Sequence, residues 1–193
     1  MAISLVKGQK IDLTKGNAGL TSLLVGLGWD PVKQGFFKRT PNIDCDASVL
    51  MLNEAGKLER KEDVVYFGNL TSSCGSVRHT GDNLTGEGDG DDEQIIVNLS
   101  QIPSRIHKLL FVVNIYQAVQ KRQDFGMIQN AFIRVLDHTK KQELVHFNLT
   151  EDYAGMMALV PGEIYRHQGE WKFNAIGQAT KDPSLSEIVN RYI

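Results

Sequence analysis

Apolar residues in this chain fall in short runs, and where a period can be discerned it is two, the spacing of a half-buried strand. Val145, Phe147 and Leu149 share one face of residues 143–149, and residues 94–99 alternate in part. Residues 20–27 are rich in Leu and Val and end at Gly28, a mostly buried strand. The densest run, 109–116, is apolar enough to lie between two layers. Shorter strands are expected around 5–6 and 11–13, and at 47–52, 64–67, 132–136, 156–160 and 164–167. A turn is expected at Asn53-Glu54-Ala55-Gly56, and another at Gln168-Gly169 returning through 171–176. Helix is confined to one turn within 101–107 and a short terminal helix. In the latter, Ser184 and Glu187 form a capping box ahead of Leu185, Ile188 and Val189. The pattern predicts an all-β fold: a β-sandwich of two packed, mostly antiparallel sheets with a short C-terminal helix, one domain over 1–193.

Composition narrows the class. With 193 residues, 41% hydrophobic content and a net charge of −2, one domain can bury about 70% of its unfolded surface. That charge balance argues against general nucleic-acid binding, which needs a basic face. Run 109–116 is interrupted by Asn114 and far shorter than the roughly 20 residues of a membrane span, so direct membrane insertion is not expected. The start meets Lys7 too early for a signal peptide, and Ala2 excludes N-myristoylation. Cys45 and Cys74 have no CxxC spacing and are expected as reduced core thiols of a cytoplasmic protein. The histidines are scattered without metal-ligand spacing, and no Gly-x-Ser-x-Gly elbow occurs. Lys33, Lys38 and Arg39 make a modest basic patch best taken as solvated surface.

The chemistry concentrates at 81–93, where Asp82, Glu87, Asp89, Asp91, Asp92 and Glu93 occur among four glycines with no Lys or Arg. Two unit charges 4 Å apart at an effective dielectric near 20 repel by about 4 kcal/mol, so a compact turn here calls for a cation. Calcium suits a glycine-rich loop, accepting six to eight oxygens in flexible geometry, whereas magnesium demands a stricter octahedron. The loop is not an EF-hand. Asp82 and Glu93 fall at positions 1 and 12, but Leu84, Gly86 and Glu87 occupy positions that need ligands or a glycine. A phosphate would be repelled. On composition alone, a solvated acidic loop is an equal alternative. Upstream, Asp44 and Asp46 flank Cys45; in an extended segment the two carboxylates project together and the thiol faces the other way. Pro31 holds Asp30 out of the helical region.

The stretch 81–93 resembles the signature of the TerD family, bacterial tellurium-resistance and general-stress proteins. Leu5-Val6-Lys7-Gly8, Val25-Gly26-Leu27-Gly28-Trp29-Asp30 and Asp44-Cys45-Asp46-Ala47-Ser48 also match, as do Phe125-Gly126 and Asn130-Ala131-Phe132-Ile133-Arg134. Gly162-Glu163-Ile164-Tyr165-Arg166 and Gly169-Glu170-Trp171-Lys172-Phe173 complete the order. The resemblance implies a calcium-binding β-sandwich and adds Asn69, in a stretch where the family tends to place Asn. The nominated ligands are Asp30, Asp44, Asp46, Asn69, Asp82, Asn83, Asp89, Asp91, Asp92 and Glu93, for about two calcium ions from two acidic segments. It further implies a stress-response role without catalysis, in which calcium orders the acidic loops to present a surface to partners. Those partners would be other tellurite-resistance and stress proteins and a membrane partner. A metal-dependent phosphoester hydrolase, holding two ions about 3.5–4 Å apart on the same carboxylates, is the alternative. The chain lacks an evident base or basic clamp for it. Departures at Ala179, where the family carries glycine, and at Ser184-Leu185 bear on the C-terminal packing, and Cys45 replaces a larger aliphatic residue.

Overall fold

The apolar run at 109–116 forms a strand, Lys108–Ile115, whose two faces bury different partners. Leu109, Phe111, Val113 and Ile115 enter the core between two sheets, while Leu110 and Val112 join a second cluster outside it. The structure is a computed structural model describing residues 2–32, 43–81 and 90–193. One sheet contains β1 (Ile3–Leu5), β3 (Ser22–Pro31), β6 (Val77–His79), β7 (Glu93–Asn98), β9 (Ile128–Asp137) and β10 (Gln142–Asn148), in the order β1-β10-β9-β3-β7-β6. The other contains β2 (Lys10–Asp12), β4 (Cys45–Leu52), β5 (Val64–Val65), β8 (Lys108–Ile115), β11 (Ala158–His167) and β12 (Glu170–Thr180), in the order β2-β12-β11-β8-β4-β5. Only β1 with β10 is a parallel pair among these. The expected sandwich is therefore present.

The outer face of the second sheet explains the terminal helix. Leu50, Leu52, Leu110, Val112 and Val160 would face water there, and α2 (Leu185–Asn190) covers them with Ile188. Ser184 caps this helix, its Oγ accepting from the Glu187 amide at 3.4 Å. Ser184→Ala should cost about 0.5–1 kcal/mol, read as a lower urea midpoint with unchanged slope. Ala179 continues β12, paired with Leu159 across β11.

Several elements depart from the pattern. Residues 64–67 give only the two-residue β5; Tyr66 and Asn69 then close a turn through mutual backbone hydrogen bonds. The helical turn expected within 101–107 occurs earlier, as a 3-10 turn at Leu99–Gln101. Helix also appears at α1 (Ala118–Lys121), bracketed by Gln117 (φ 56) and Arg122 (φ 53) in the left-handed region. Two expected strands near 156–160 and 164–167 are one, β11, with a register shift between Val160 and Gly162. β6 arises where no alternation signals it. Lys33, Lys38 and Arg39 lie outside the described residues.

Candidate functional site

One end of the sandwich gathers those nominated acids that lie among the described residues, because β3 ends there while β4 and β7 begin there. Asp30 is the penultimate residue of β3, Glu93 opens β7, and Asp44 and Asp46 flank the first residue of β4. Asp91 and Asp92 enter from the chain preceding β7.

The glycines of β3 carry a local reason for this convergence. Leu23, Val25, Leu27 and Trp29 fill the inter-sheet core, so Gly26 and Gly28 face outward. A Cβ at Gly26 would collide with the Asp91 carboxylate, and one at Gly28 with the Phe132 ring. Bare backbone there lets the returning chain cross β3 in direct contact. Asp91, its side chain fully buried, accepts from Arg134 Nε at 2.7 Å and from Gln94 Nε2 at 3.0 Å. Arg134 also reaches Glu143 Oε2 at 3.3 Å and lies over Phe132, which stacks on His146. Both Asp91 oxygens are thus engaged in anchoring the segment.

Glu93 takes the opposite direction, into the core. β5 pairs with β4 only at Val49 and Leu50, so nearby Ala47 lies beyond that ladder. Glu93 Oε2 accepts the Ala47 amide at 2.6 Å and lies 3.1 Å from His79 Nε2, so one carboxylate of the first sheet ties down the second. The Gly81 amide donates to His79 Nδ1 at 3.1 Å, which places the ring proton on Nε2, donating to Glu93. His79, Arg134 and Gln94 are the residues that pattern analysis missed; each comes to the site by strand pairing between distant segments, for which the sequence carries no local signal.

Asp92 holds the strand end: its Oδ2 accepts the Trp29 amide at 2.7 Å and its own amide bonds Leu27 O at 2.8 Å. Burial raises its carboxyl from 3.8 to about 6; the Trp29 amide opposes this, and Asp30, Asp91 and Glu93 add to the rise. Cys45 is fully buried and faces the core, as expected, while Asp44 and Asp46 take the other side. Burial first, then Asp46, Glu93, Asp44 and Asp92, push its thiol well above 9.0. Asp44 Oδ2 meets Lys121 Nζ at 3.4 Å, while its Oδ1 is buried without a hydrogen-bond partner among the described residues. Asp30 Oδ2 accepts from Asn130 Nδ2 at 2.8 Å. Asn69 serves its own turn, donating from Nδ2 to Val64 O at 2.7 Å.

Among the described residues, no three His, Cys, Asp or Glu side chains close into a group able to hold a metal. Asp82, Asn83 and Asp89 lie outside the described residues. The donor chemistry nonetheless suits a hard cation: Asp92 feels the like charges of Asp30, Asp91 and Glu93, and Asp44 Oδ1 is a buried oxygen without a hydrogen-bond partner among the described residues. A depression of about 710 Å³ adjoins Asp30, bounded also by Trp29, Asn130, Phe132, Asn148 and Glu151. Among the described residues, no Lys, Arg or His lines it. No helix among the described residues is long and apolar enough to cross a membrane.

Residues 1–192 match the TerD domain family. The chain is 59% identical to the stress response protein SCP2 of Bacillus subtilis (strain 168) over the full length of both. It is 45% identical to the tellurium resistance protein TerD of Serratia marcescens, covering 92% of this chain and 91% of that one. In three dimensions it resembles a crystallised homologue of telluride resistance protein (TerD) from Streptomyces coelicolor A3(2), with a TM-score of 0.63 and 21% identity, covering 85% of this chain and 92% of the other. At that identity the likeness concerns the fold alone.

Proposed function

The chain belongs to the TerD domain family, whose relatives are named for stress response and tellurium resistance, and from that premise we propose that it is a calcium-binding member acting without catalysis. Asp30, Asp44 and Asp92 supply ion-facing oxygens from the described strand ends, while Glu93 braces them from the core through the Ala47 amide and His79. Asp82, Asn83 and Asp89 supply the rest, with Asn69 a further oxygen donor, for about two ions in all. Asp91 anchors the chain between these sets through Arg134. With the ion bound, this end of the sandwich becomes a surface for other cytoplasmic stress and tellurite-resistance proteins and for a membrane partner.

One observation carries the proposal. The Asp92 carboxyl is raised to about 6, chiefly by burial and further by Asp30, Asp91 and Glu93, so it sits among like charges that a bound cation would offset. Calcium would supply that charge, and the protein's own part is to present deprotonated oxygens on fixed strand ends. Titration calorimetry should give calcium an affinity well above magnesium. Asp44→Asn and Asp92→Asn should each weaken calcium by on the order of tenfold or more. Unchanged affinity in both variants would leave the acids as a solvated loop and its supports. Phosphomonoesters and phosphodiesters, offered with calcium, magnesium or manganese, should show no turnover. The described residues that line the adjoining depression offer no basic substrate clamp, and saturable hydrolysis lost in Asp92→Asn would promote the hydrolase instead.

A further inference from the structure

α2 stops covering the outer face of the second sheet where that face turns polar. Beyond Leu50 and Val112 the outward positions of β4 and β8 are Ser48, Asp46 and Asn114, the last two paired directly across the strands. They floor a groove of about 310 Å³ between the start of α2 and three aromatic rings. Tyr66 and Phe67 meet edge to face, with centroids 5.4 Å apart at 81°, and Phe67 meets Tyr116 in the same way at 6.4 Å and 87°. Phe67 is 45% and Tyr116 41% exposed, although large rings ordinarily gain by burial. On the floor, Ser48 is 0% and Asn114 5% exposed, yet Ser48 Oγ and Asn114 Oδ1 have no hydrogen-bond partner among the described residues. A buried polar atom left in that state costs about 1–3 kcal/mol, which a ligand would relieve. Among the described residues, Asp46 is the only charged one that lines the groove.

Aromatic rings lining the same groove as buried oxygen acceptors suit a cation with N–H donors. We propose that this groove binds a primary alkylammonium ion, its N–H groups on Asn114 Oδ1, Ser48 Oγ and the Asp46 carboxylate and its methylenes against Tyr66, Phe67 and Tyr116. The flank of the groove already holds one such group: Lys121 Nζ lies 5.0 Å from the Tyr116 ring centroid and 3.4 Å from Asp44 Oδ2. The volume falls in the range of small-ligand sites and suits a linear amine of a few carbons. The ammonium can belong to a free amine or to a lysine side chain.

The test titrates n-butylammonium, putrescine and Nα-acetyl-lysine amide into the full chain at saturating calcium. Ring signals of Phe67 and Tyr116 and amide signals of Ser48 and Asn114 are followed by NMR. Saturable shifts confined to the groove are expected. Phe67→Ala, a change at an exposed ring that leaves the core intact, should weaken binding about two- to fivefold. Ser48→Ala should weaken it while leaving calcium affinity unchanged, which separates this site from the calcium proposal. Tighter binding of putrescine identifies a free amine, and tighter binding of the lysine amide a partner's side chain. Tetramethylammonium, lacking N–H donors, should bind more weakly than butylammonium. Equal binding of n-butanol, or no shift with any of the three amines at about 50 mM, overturns the proposal.

Discussion

Gly26→Ala should destabilise the protein by roughly 2–4 kcal/mol, a large effect for one added methyl group on an outward strand face. The new Cβ would occupy the place of the Asp91 carboxylate, so that side chain or β3 must shift. Neither yields easily, since Gly26 is paired on both sides, with Gln94 of β7 and Arg134 of β9. Displacing Asp91 also parts it from Arg134 Nε, 2.7 Å away, and a fully buried carboxylate losing its cation is costly. Arg134 is 27% exposed and can turn to water, which keeps the estimate below that for a wholly buried pair. The clash account makes a second demand. In Asp91→Ala the space over Gly26 is open, so the alanine should cost much less in that background, a coupling of about 1–3 kcal/mol. Urea unfolding of the four proteins decides it. Additive effects, or a single-variant loss below about 0.5 kcal/mol, would mean that the glycine is not there for Asp91.

The same residues show what a sequence discloses and what it withholds. The continuous run in β8 announces a strand buried on both faces, because apolarity without alternation leaves no solvent side. Ser184 and Glu187 announce the start of α2, because a cap is a contact across three residues. The acids 91–93 and the pair Asp44 and Asp46 stand out by composition, and they do arrive at one end of the sandwich. What the acids do individually was not legible. Adjacent along the chain, Asp91, Asp92 and Glu93 go to three destinations: the outer face under Arg134, the edge at Trp29, and the core at Ala47 and His79. Strand alternation separates neighbours, but which face is the core depends on partners dozens of residues away. His79 looked like one of five scattered histidines for the same reason. α1 was hidden because its boundaries are set by left-handed Gln117 and Arg122, residues that carry no turn signature.

Acidification from pH 7 to about 5 should move stability in opposite directions with and without calcium. Without the ion, Asp92 is a carboxyl raised into this window. Its carboxyl is raised from 3.8 to about 6 in the folded state, chiefly by burial and further by Asp30, Asp91 and Glu93. Above pH 6 it is charged in both states, and the repulsion falls on the folded one. Between about 6 and 4 the folded chain holds a proton that the unfolded chain releases, so stability rises as pH falls. Half-buried and partly screened, the group should yield on the order of 1–2 kcal/mol rather than the full value of its shift. Asp137 does not interfere, because the Lys140 and Thr139 amides hold it low and its contribution is lost only below the window. With calcium the sign reverses. The ion binds deprotonated oxygens, so acidification releases it, together with a stabilisation of RT ln(1 + [L]/Kd), about 2.7 kcal/mol at a hundred times Kd. Asp92→Asn isolates the group: its amide oxygen can still accept the Trp29 amide, but the charge is gone. In chelator this variant should be the more stable protein at pH 7, and its advantage should vanish by about pH 4. Denaturant unfolding at three pH values, with calcium and with chelator, measures each arm. Parallel profiles for the two proteins in chelator would show that Asp92 holds no repulsion for calcium to relieve, and the electrostatic basis of the calcium site would fail with it.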